Sequence, residues 1–340
     1  MTDTTVQDVV SRVEMAPLSS LVRMSIDDVQ VQMDSYLDTR VDPMSLYRRW
    51  EKQQWAVQEL DLSVDVQHWS ALDEGVRAVV RRILALFFIG EQAVTDTLAP
   101  ILHAAPREDE RIFLATQISD EARHTVFFQR FFEEVLEVPG GIQGALDAIG
   151  PEATADVRRI FENHLVKATD LVRREPGNMT AWAEAVVTYH LIIEGYLALT
   201  GARNLLSFTR ASGFMPGFHT GFTAVARDES RHIGFGVLAL RRRIREDPEI
   251  ARVVTLKLVE LAEPTVTTAV DPSFIIRLPG ADADPPVSAD AERGYAVARE
   301  YSQAQLAKRI RAVGLSDVAV SEVLGEYAGH FDRLWVLHNP

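Results

Sequence analysis

Cysteine is missing altogether from the 340 residues. Its absence excludes disulfides, iron–sulfur clusters and thiolate zinc sites together, so any metal ion must be held by oxygen and nitrogen. A basic excess is missing too. With 49 acidic and 35 basic side chains the net charge is −14, which argues against nucleic acid as a partner. The opening Met1-Thr2-Asp3-Thr4-Thr5-Val6-Gln7-Asp8 lacks the basic and apolar blocks of an export signal, and no apolar run reaches membrane-spanning length without a charge. A cytoplasmic protein with no transmembrane segment is expected. No segment carries a strand signal strong enough to predict a sheet. A composition of 47% hydrophobic and 25% charged residues is ample for a large core.

Helical periodicity runs through nearly the whole chain. Residues 1–42 are weakly patterned and are expected to wrap loosely, whereas Pro43 to about Leu60 opens a first helix with Leu46, Tyr47, Trp50 and Trp55. Long helices are expected near 72–103, 107–137, 151–174, 179–212 and 217–246. Pro139-Gly140-Gly141, Pro176-Gly177 and Gly213-Phe214-Met215-Pro216-Gly217 supply the breaks. A helix near 248–263 is expected to end at Pro264. Residues 264–290 contain five prolines and read as a surface connection, and helices near 290–313 and 316–335 follow. The expectation is a single all-α domain over 1–340.

One five-residue pattern occurs twice, as Asp120-Glu121-Ala122-Arg123-His124 and Asp228-Glu229-Ser230-Arg231-His232. Glutamate and histidine three residues apart on a helix are separated by about 300° of rotation, so both project from one face, one turn apart. Of nine histidines, only His124 and His232 have a glutamate three positions earlier. A four-helix di-metal carboxylate site needs a further glutamate from each of the other two helices. Glu91 interrupts the apolar run Ile83-Leu84-Ala85-Leu86-Phe87-Phe88-Ile89-Gly90, and Glu194 interrupts Val186-Val187-Thr188-Tyr189-His190-Leu191-Ile192-Ile193. A lone carboxylate in such surroundings is costly unless paired or metal-bound. The candidate ligands are therefore Glu91, Glu121, His124, Glu194, Glu229 and His232.

The order Glu, Glu-x-x-His, Glu, Glu-x-x-His resembles the ferritin-like superfamily, and within it the small (R2) subunit of ribonucleotide reductase and the R2-like ligand-binding oxidases. The resemblance covers roughly residues 43–260 and includes Leu46-Tyr47-Arg48-Arg49-Trp50 through Trp55 and Leu60-Asp61-Leu62-Ser63. It implies a ferritin-like four-helix bundle with additional helices, a homodimer, and Asp228 as acceptor for a metal-bound histidine. Three features separate the two families. Phe128 stands where a radical-bearing R2 subunit keeps a tyrosine. Glutamate rather than aspartate supplies the first ligand, Glu91. Only Val336 to Pro340 follow the last expected helix, where an R2 subunit presents a long tail. Glutamate as first ligand is found both in the oxidases and in the tyrosine-less R2 class, and the short tail favours the oxidases.

Likeness to the oxidases implies a mixed manganese and iron cluster, with Fe/Fe the alternative, and a buried long-chain fatty acid as an additional ligand. It also implies an ether link between a valine three residues after the first glutamate and a tyrosine five residues before the third, here Val94 and Tyr189. On a regular helix Val94 lies about 60° from Glu91, whereas Tyr189 lies about 140° from Glu194. Four carboxylates and two imidazoles suit iron and manganese and offset two divalent ions. Phe87, Phe88, Val94, Phe127, Phe128, Ile192 and Ile193 are candidate water-excluding walls. Gly195 either lets its helix deform or serves close packing. The expected function is an oxidoreductase that uses molecular oxygen on a bound apolar, fatty-acid-like ligand. A tyrosine-less R2 subunit and a ferritin-like iron-binding protein are the alternatives.

Overall fold

Capping boxes open the chain. Thr5 and Ser25 each accept from the backbone N–H three residues on, while Asp8 and Asp28 accept from the caps' own N–H groups, starting α1 (Val6–Met15) and α2 (Ile26–Tyr36). Asp42 and Pro43 start α3 (Pro43–Lys52) in the same way. The computed structural model describes residues 5–149, 154–269 and 287–338, with the side chains of 92–96, 149, 287–295, 337 and 338 outside that description. After α3 come α4 (Ser63–Ser70), α5 (Glu74–Ala104), α6 (Glu108–Glu134), α7 (Gly141–Ile149) and α8 (residues 155–174). They are followed by α9 (Met179–Ser212), α10 (Pro216–Glu246), α11 (Glu249–Ala269), α12 (Val287–Val313) and α13 (Asp317–His338). Among the described residues there is no strand.

Helices α5, α6, α9 and α10 form the central bundle, α5 lying along α6 and α9 along α10. Three of them share one plan, in which a polar block separates two apolar ones. On α6, Phe113 and Leu114 belong to one hydrophobic cluster and Phe127, Phe128, Phe131 and Phe132 to another, with Gln117 to His124 between. On α10, Phe218 to Ala226 and Phe235 to Leu240 divide the same way around Arg227 to His232. On α5, Ile83 to Phe88 and Leu98 to Ala105 flank Glu91. Aligning the polar blocks at one level lets both apolar blocks of each helix find apolar partners. A polar seam between two dry clusters is the result.

The remaining helices cover the bundle. α1, the turn Leu18–Arg23 and α2 do not wrap loosely: Val13, Leu21, Ile26, Val29, Met33 and Tyr36 are buried, and α2 and the turn pack on α10. Weak periodicity over residues 1–42 reflects two short helices with a sharp turn between them. The helix expected from Pro43 to Leu60 stops at Lys52, because the chain turns inward to bury Gln53 and Trp55. α11 runs through Pro264 to Ala269 rather than ending at the proline, since Pro264, Thr265 and Val266 are buried and that packing outweighs one lost backbone bond. The expected connection thus loses 264–269, its residues 270–286 lie outside the described residues, and α12 begins at Val287.

One cap anchors the site helix α10. The buried Asp65 of α4 accepts from Gly217 N at 2.8 Å and Phe218 N at 2.7 Å, satisfying two donors at the α10 N-terminus. Gly217 is required there, because a Cβ would lie 2.4 Å from Asp61 O. Asp65→Ala is expected to destabilise the fold by about 1–2 kcal/mol, read as a lower urea midpoint with unchanged slope. A midpoint equal to that of the wild type would show that α10 does not need this cap.

Candidate metal centre

Each bundle helix delivers its share of one cluster. Glu91 comes from α5, Glu121 and His124 from α6, Glu194 from α9, and Glu229 and His232 from α10. One ligand atom from each of Glu91, Glu121, His124 and Glu229 falls within a mutual 4.8 Å, and the same holds for Glu121, Glu194, Glu229 and His232. The two groups share Glu121 and Glu229, whose two-oxygen carboxylates can bridge neighbouring ions. The structure thus brings together all six residues expected from the sequence.

Both imidazoles are oriented from behind. His124 turns Nδ1 toward Glu91 (3.2 Å), Glu229 (3.3 Å) and Glu121 (3.5 Å), and its Nε2–H donates to Asp228 at 3.3 Å. His232 turns Nδ1 toward Glu121 (3.2 Å) and Glu194 (3.4 Å), and its Nε2–H donates to Asp120 at 3.2 Å. A proton held on Nε2 leaves the Nδ1 lone pair free for a metal ion. The wiring is crossed: the aspartate of each repeat serves the histidine of the other. Asp228 thus lies behind His124, and Asp120 lies in the matching place behind His232, a contact not anticipated from the sequence.

The arginines shared by the two copies of the pattern complete this layer. Arg231 donates to Asp120 at 2.8 Å and to Asp228 at 2.7 Å, and Arg123 bonds the same two aspartates. The indoles of Trp50 and Trp55 each donate at 2.9 Å, to Asp120 and Asp228 respectively. Burial alone would raise the Asp228 carboxyl, yet Arg231, His124 and Arg123 hold it well below its ordinary range. Recurrence of Asp and Arg in both copies of the pattern was the available signal for this layer.

Tyr189 approaches the cluster because α9 is wound differently there. Residues Val187–Ala198 form a π-helix, whose wider turn places residues five apart on nearly one face. Tyr189 and Glu194 are five apart, and Tyr189 Oη donates to Glu121 Oε1 at 2.6 Å. The angle of about 140° expected for a regular helix does not apply. Gln117, one turn before Glu121, donates from Nε2 to Glu194 Oε1 at 2.9 Å and accepts from His190 Nε2–H at 3.2 Å. Val94 lies on α5 one turn after Glu91, and its side chain is outside the described residues. Phe128 is fully buried, stacked on Phe87 and Phe88 and edge-on to Phe222.

A cavity of about 160 Å³ ends on Glu91, Glu121, Glu194, Glu229 and Tyr189. Its walls are mainly apolar and include Ile83, Leu86, Phe87, Phe161, Ile193 and Leu197. Of the expected wall residues, Phe87 and Ile193 line it, whereas Phe88, Phe127, Phe128 and Ile192 pack in the core.

The donor set fits two divalent ions. Glu194 Oε2 and Glu229 Oε2 are buried without a hydrogen-bond partner, and these atoms lie among the ligand groups. Burial pushes the Glu91 carboxyl up to about 8 and that of Glu194 well above its usual range. Burial would lower both histidines, yet the surrounding carboxylates lift them well above their ordinary value. Without cations, the cluster therefore keeps protons at neutral pH.

A helical bundle enclosing four carboxylates and two imidazoles in this order defines the di-metal carboxylate class of ferritin-like proteins. The chain belongs to the ribonucleotide reductase small chain family, whose model matches residues 41–271. It is similar in structure to an R2-like ligand-binding oxidase. A tyrosine-to-phenylalanine variant of that oxidase with an aerobically reconstituted Mn/Fe cofactor gives a TM-score of 0.68 at 25% identity, covering 82% of this chain and 95% of the other. A valine-to-alanine variant with an anaerobically reconstituted Mn/Fe cofactor gives the same values. A glycine-to-leucine variant with a non-activated Mn/Mn cofactor matches with a TM-score of 0.68 at 25% identity, over 82% of this chain and 94% of that one.

Two predictions follow from the geometry. Asp228→Asn, which keeps the shape but weakens the acceptor behind His124, should lower metal affinity by about 10–100-fold with helical content unchanged, as read by calorimetric titration. Affinity should also rise with pH between about 6 and 8, since the ion must displace protons held on Glu91, Glu194 and the histidines. Titrations in buffers of different ionisation enthalpy would count the protons released. A pH-independent affinity would contradict the raised carboxyls.

Proposed function

We propose that the protein is an oxygen-activating oxidase with a manganese and iron centre, acting on a bound apolar ligand of the long-chain fatty acid type. The observation that carries this reading is the apolar cavity ending on four glutamates and a tyrosine, beside a phenylalanine where an R2 subunit would store a radical. Two redox-active ions held by Glu91, Glu121, His124, Glu194, Glu229 and His232 would supply the chemistry by which dioxygen oxidises an unactivated C–H bond. The protein's own contribution is to position and to exclude. Phe87, Phe161, Ile193 and Leu197 keep water from the reacting end of the ligand. Asp120 and Asp228 keep a proton on Nε2 of each histidine, so that Nδ1 stays a neutral donor.

We assign Tyr189 and Val94 as partners in an oxidative ether crosslink. Burial and the neighbouring Glu121 push the Tyr189 phenol well above its ordinary value, so it enters the reaction protonated, hydrogen-bonded to Glu121. Forming the C–O bond removes the phenolic hydrogen and one valine hydrogen, and dioxygen takes up both with their electrons. In aerobic, metal-loaded protein, peptide mass spectrometry should find the two segments joined with loss of two hydrogen atoms. Glu194→Ala should bind less metal and stay uncrosslinked, and Tyr189→Phe should retain the metals without the link. Separate, unmodified peptides after full turnover would refute the assignment. A tyrosine-less R2 subunit is the second reading, favoured by the family match; nucleotide reduction on mixing with a reductase large subunit would establish it.

A further inference from the structure

A cation is buried beside the cluster on a helix that supplies none of the six ligands. Arg309 of α12 is 1% exposed, and no ion pair to it exists among the described residues. Its Nη1 donates to the backbone carbonyl of Gly195, its Nη2 lies 3.3 Å from Met33 Sδ, and its Nε has no hydrogen-bond partner. A buried guanidinium with no carboxylate at ion-pair distance is unfavourable, and burial pushes this one down to about 10 against the charges of Tyr301 and Asp34. Among the described residues the oxygen that Arg309 bonds is the Gly195 carbonyl.

That acceptor is exposed by the winding of α9. In a regular α-helix the Gly195 carbonyl would receive the N–H of Leu199. Here Leu199 N–H bonds Glu194 O and Tyr196 O instead, at the end of the π-helical stretch. Arg309 supplies a donor to the carbonyl so bypassed. The residue type at 195 is part of the same device, because a Cβ there would lie 2.8 Å from His190 O and 3.4 Å from Arg309 Cδ.

We propose that Arg309 is a positioning residue for the metal centre: by donating to the Gly195 carbonyl it holds residues 187–198 in the π winding that puts Tyr189 and Glu194 on one face. The proposal rests on the two-metal reading above. It also extends the site beyond residues 41–271, the reach of the family match, into the C-terminal helix pair. Rewound as an α-helix, the stretch would carry Tyr189 about 140° round from Glu194. The loss would be selective. Glu194 belongs only to the ligand group with His232, whereas the group with His124 uses no residue of the π stretch.

The test is titration of the full-length protein with Co2+ alone, followed by calorimetry and by visible absorption of the bound ion. Wild type should take two ions. Arg309→Met should keep one at wild-type affinity and weaken the other by about tenfold or more with a changed absorption spectrum, and Arg309→Lys, which retains a donor, should restore much of it. Gly195→Ala decides the matter independently if Arg309→Met does not fold. Alanine improves a regular helix, so unimpaired binding of both ions by this variant would overturn the proposal, and selective weakening of one would support it. Equal weakening of both ions in Arg309→Met would likewise overturn it, by reducing Arg309 to general support. Fewer than two Co2+ in the wild type would refute the two-metal reading itself, and the positioning role with it.

Discussion

Four glutamates meeting inside an apolar bundle are the constraint around which the rest of this protein is arranged. With Asp120 and Asp228 they bring six negative charges into the polar seam, and Arg123 and Arg231 return two positive ones. The remaining four match two divalent ions. Without them burial keeps protons on Glu194 and on Glu91, pushed up to about 8, so ion binding and deprotonation of these two are one event. Neutralisation by metal is what makes so polar a seam compatible with the aromatic cluster around Phe128 on one side and the Phe113–Phe235 stack on the other.

The outer helices matter because they hold the site's second layer. α3 presents Trp50 to Asp120, the turn beyond it presents Trp55 to Asp228, and Arg227 and Arg231 of α10 bond the backbone and side chain of Gln53. These contacts lock the two crossed Asp–His pairs against the N-terminal elements. α12 adds a contact next to Glu194, where Arg309 donates to the Gly195 carbonyl. A four-helix bundle alone would position six ligands, but their orientation depends on elements outside it.

Oxidative chemistry needs a site that reaches an apolar ligand yet keeps bulk water away from it. The cavity beside the candidate ligands has an apolar wall of Phe87, Phe161, Ile193 and Leu197 and ends on carboxylates. Phe128 sits in a close-packed group of phenylalanine rings with no hydroxyl to oxidise, so the nearest phenol to the ligand groups among the described residues is Tyr189, bonded to Glu121.

The sequence by itself determined the helical class and the six candidate ligands, because a helix repeats every 3.6 residues and Glu-x-x-His must therefore share a face. Charged residues interrupting apolar runs at Glu91 and Glu194 were legible for the same reason, as buried charge needs a partner wherever it lies. Local periodicity carries no information on which repeat faces which. The crossed pairing of Asp120 with His232 and Asp228 with His124, the sharing of Glu121 and Glu229, and the folding of residues 5–36 onto α10 were decided only by tertiary packing. So was the π winding of Val187–Ala198. An apolar run reads alike in either winding, and the departure is stabilised by groups distant in sequence: Gln117 at Glu194 and Arg309 at Gly195.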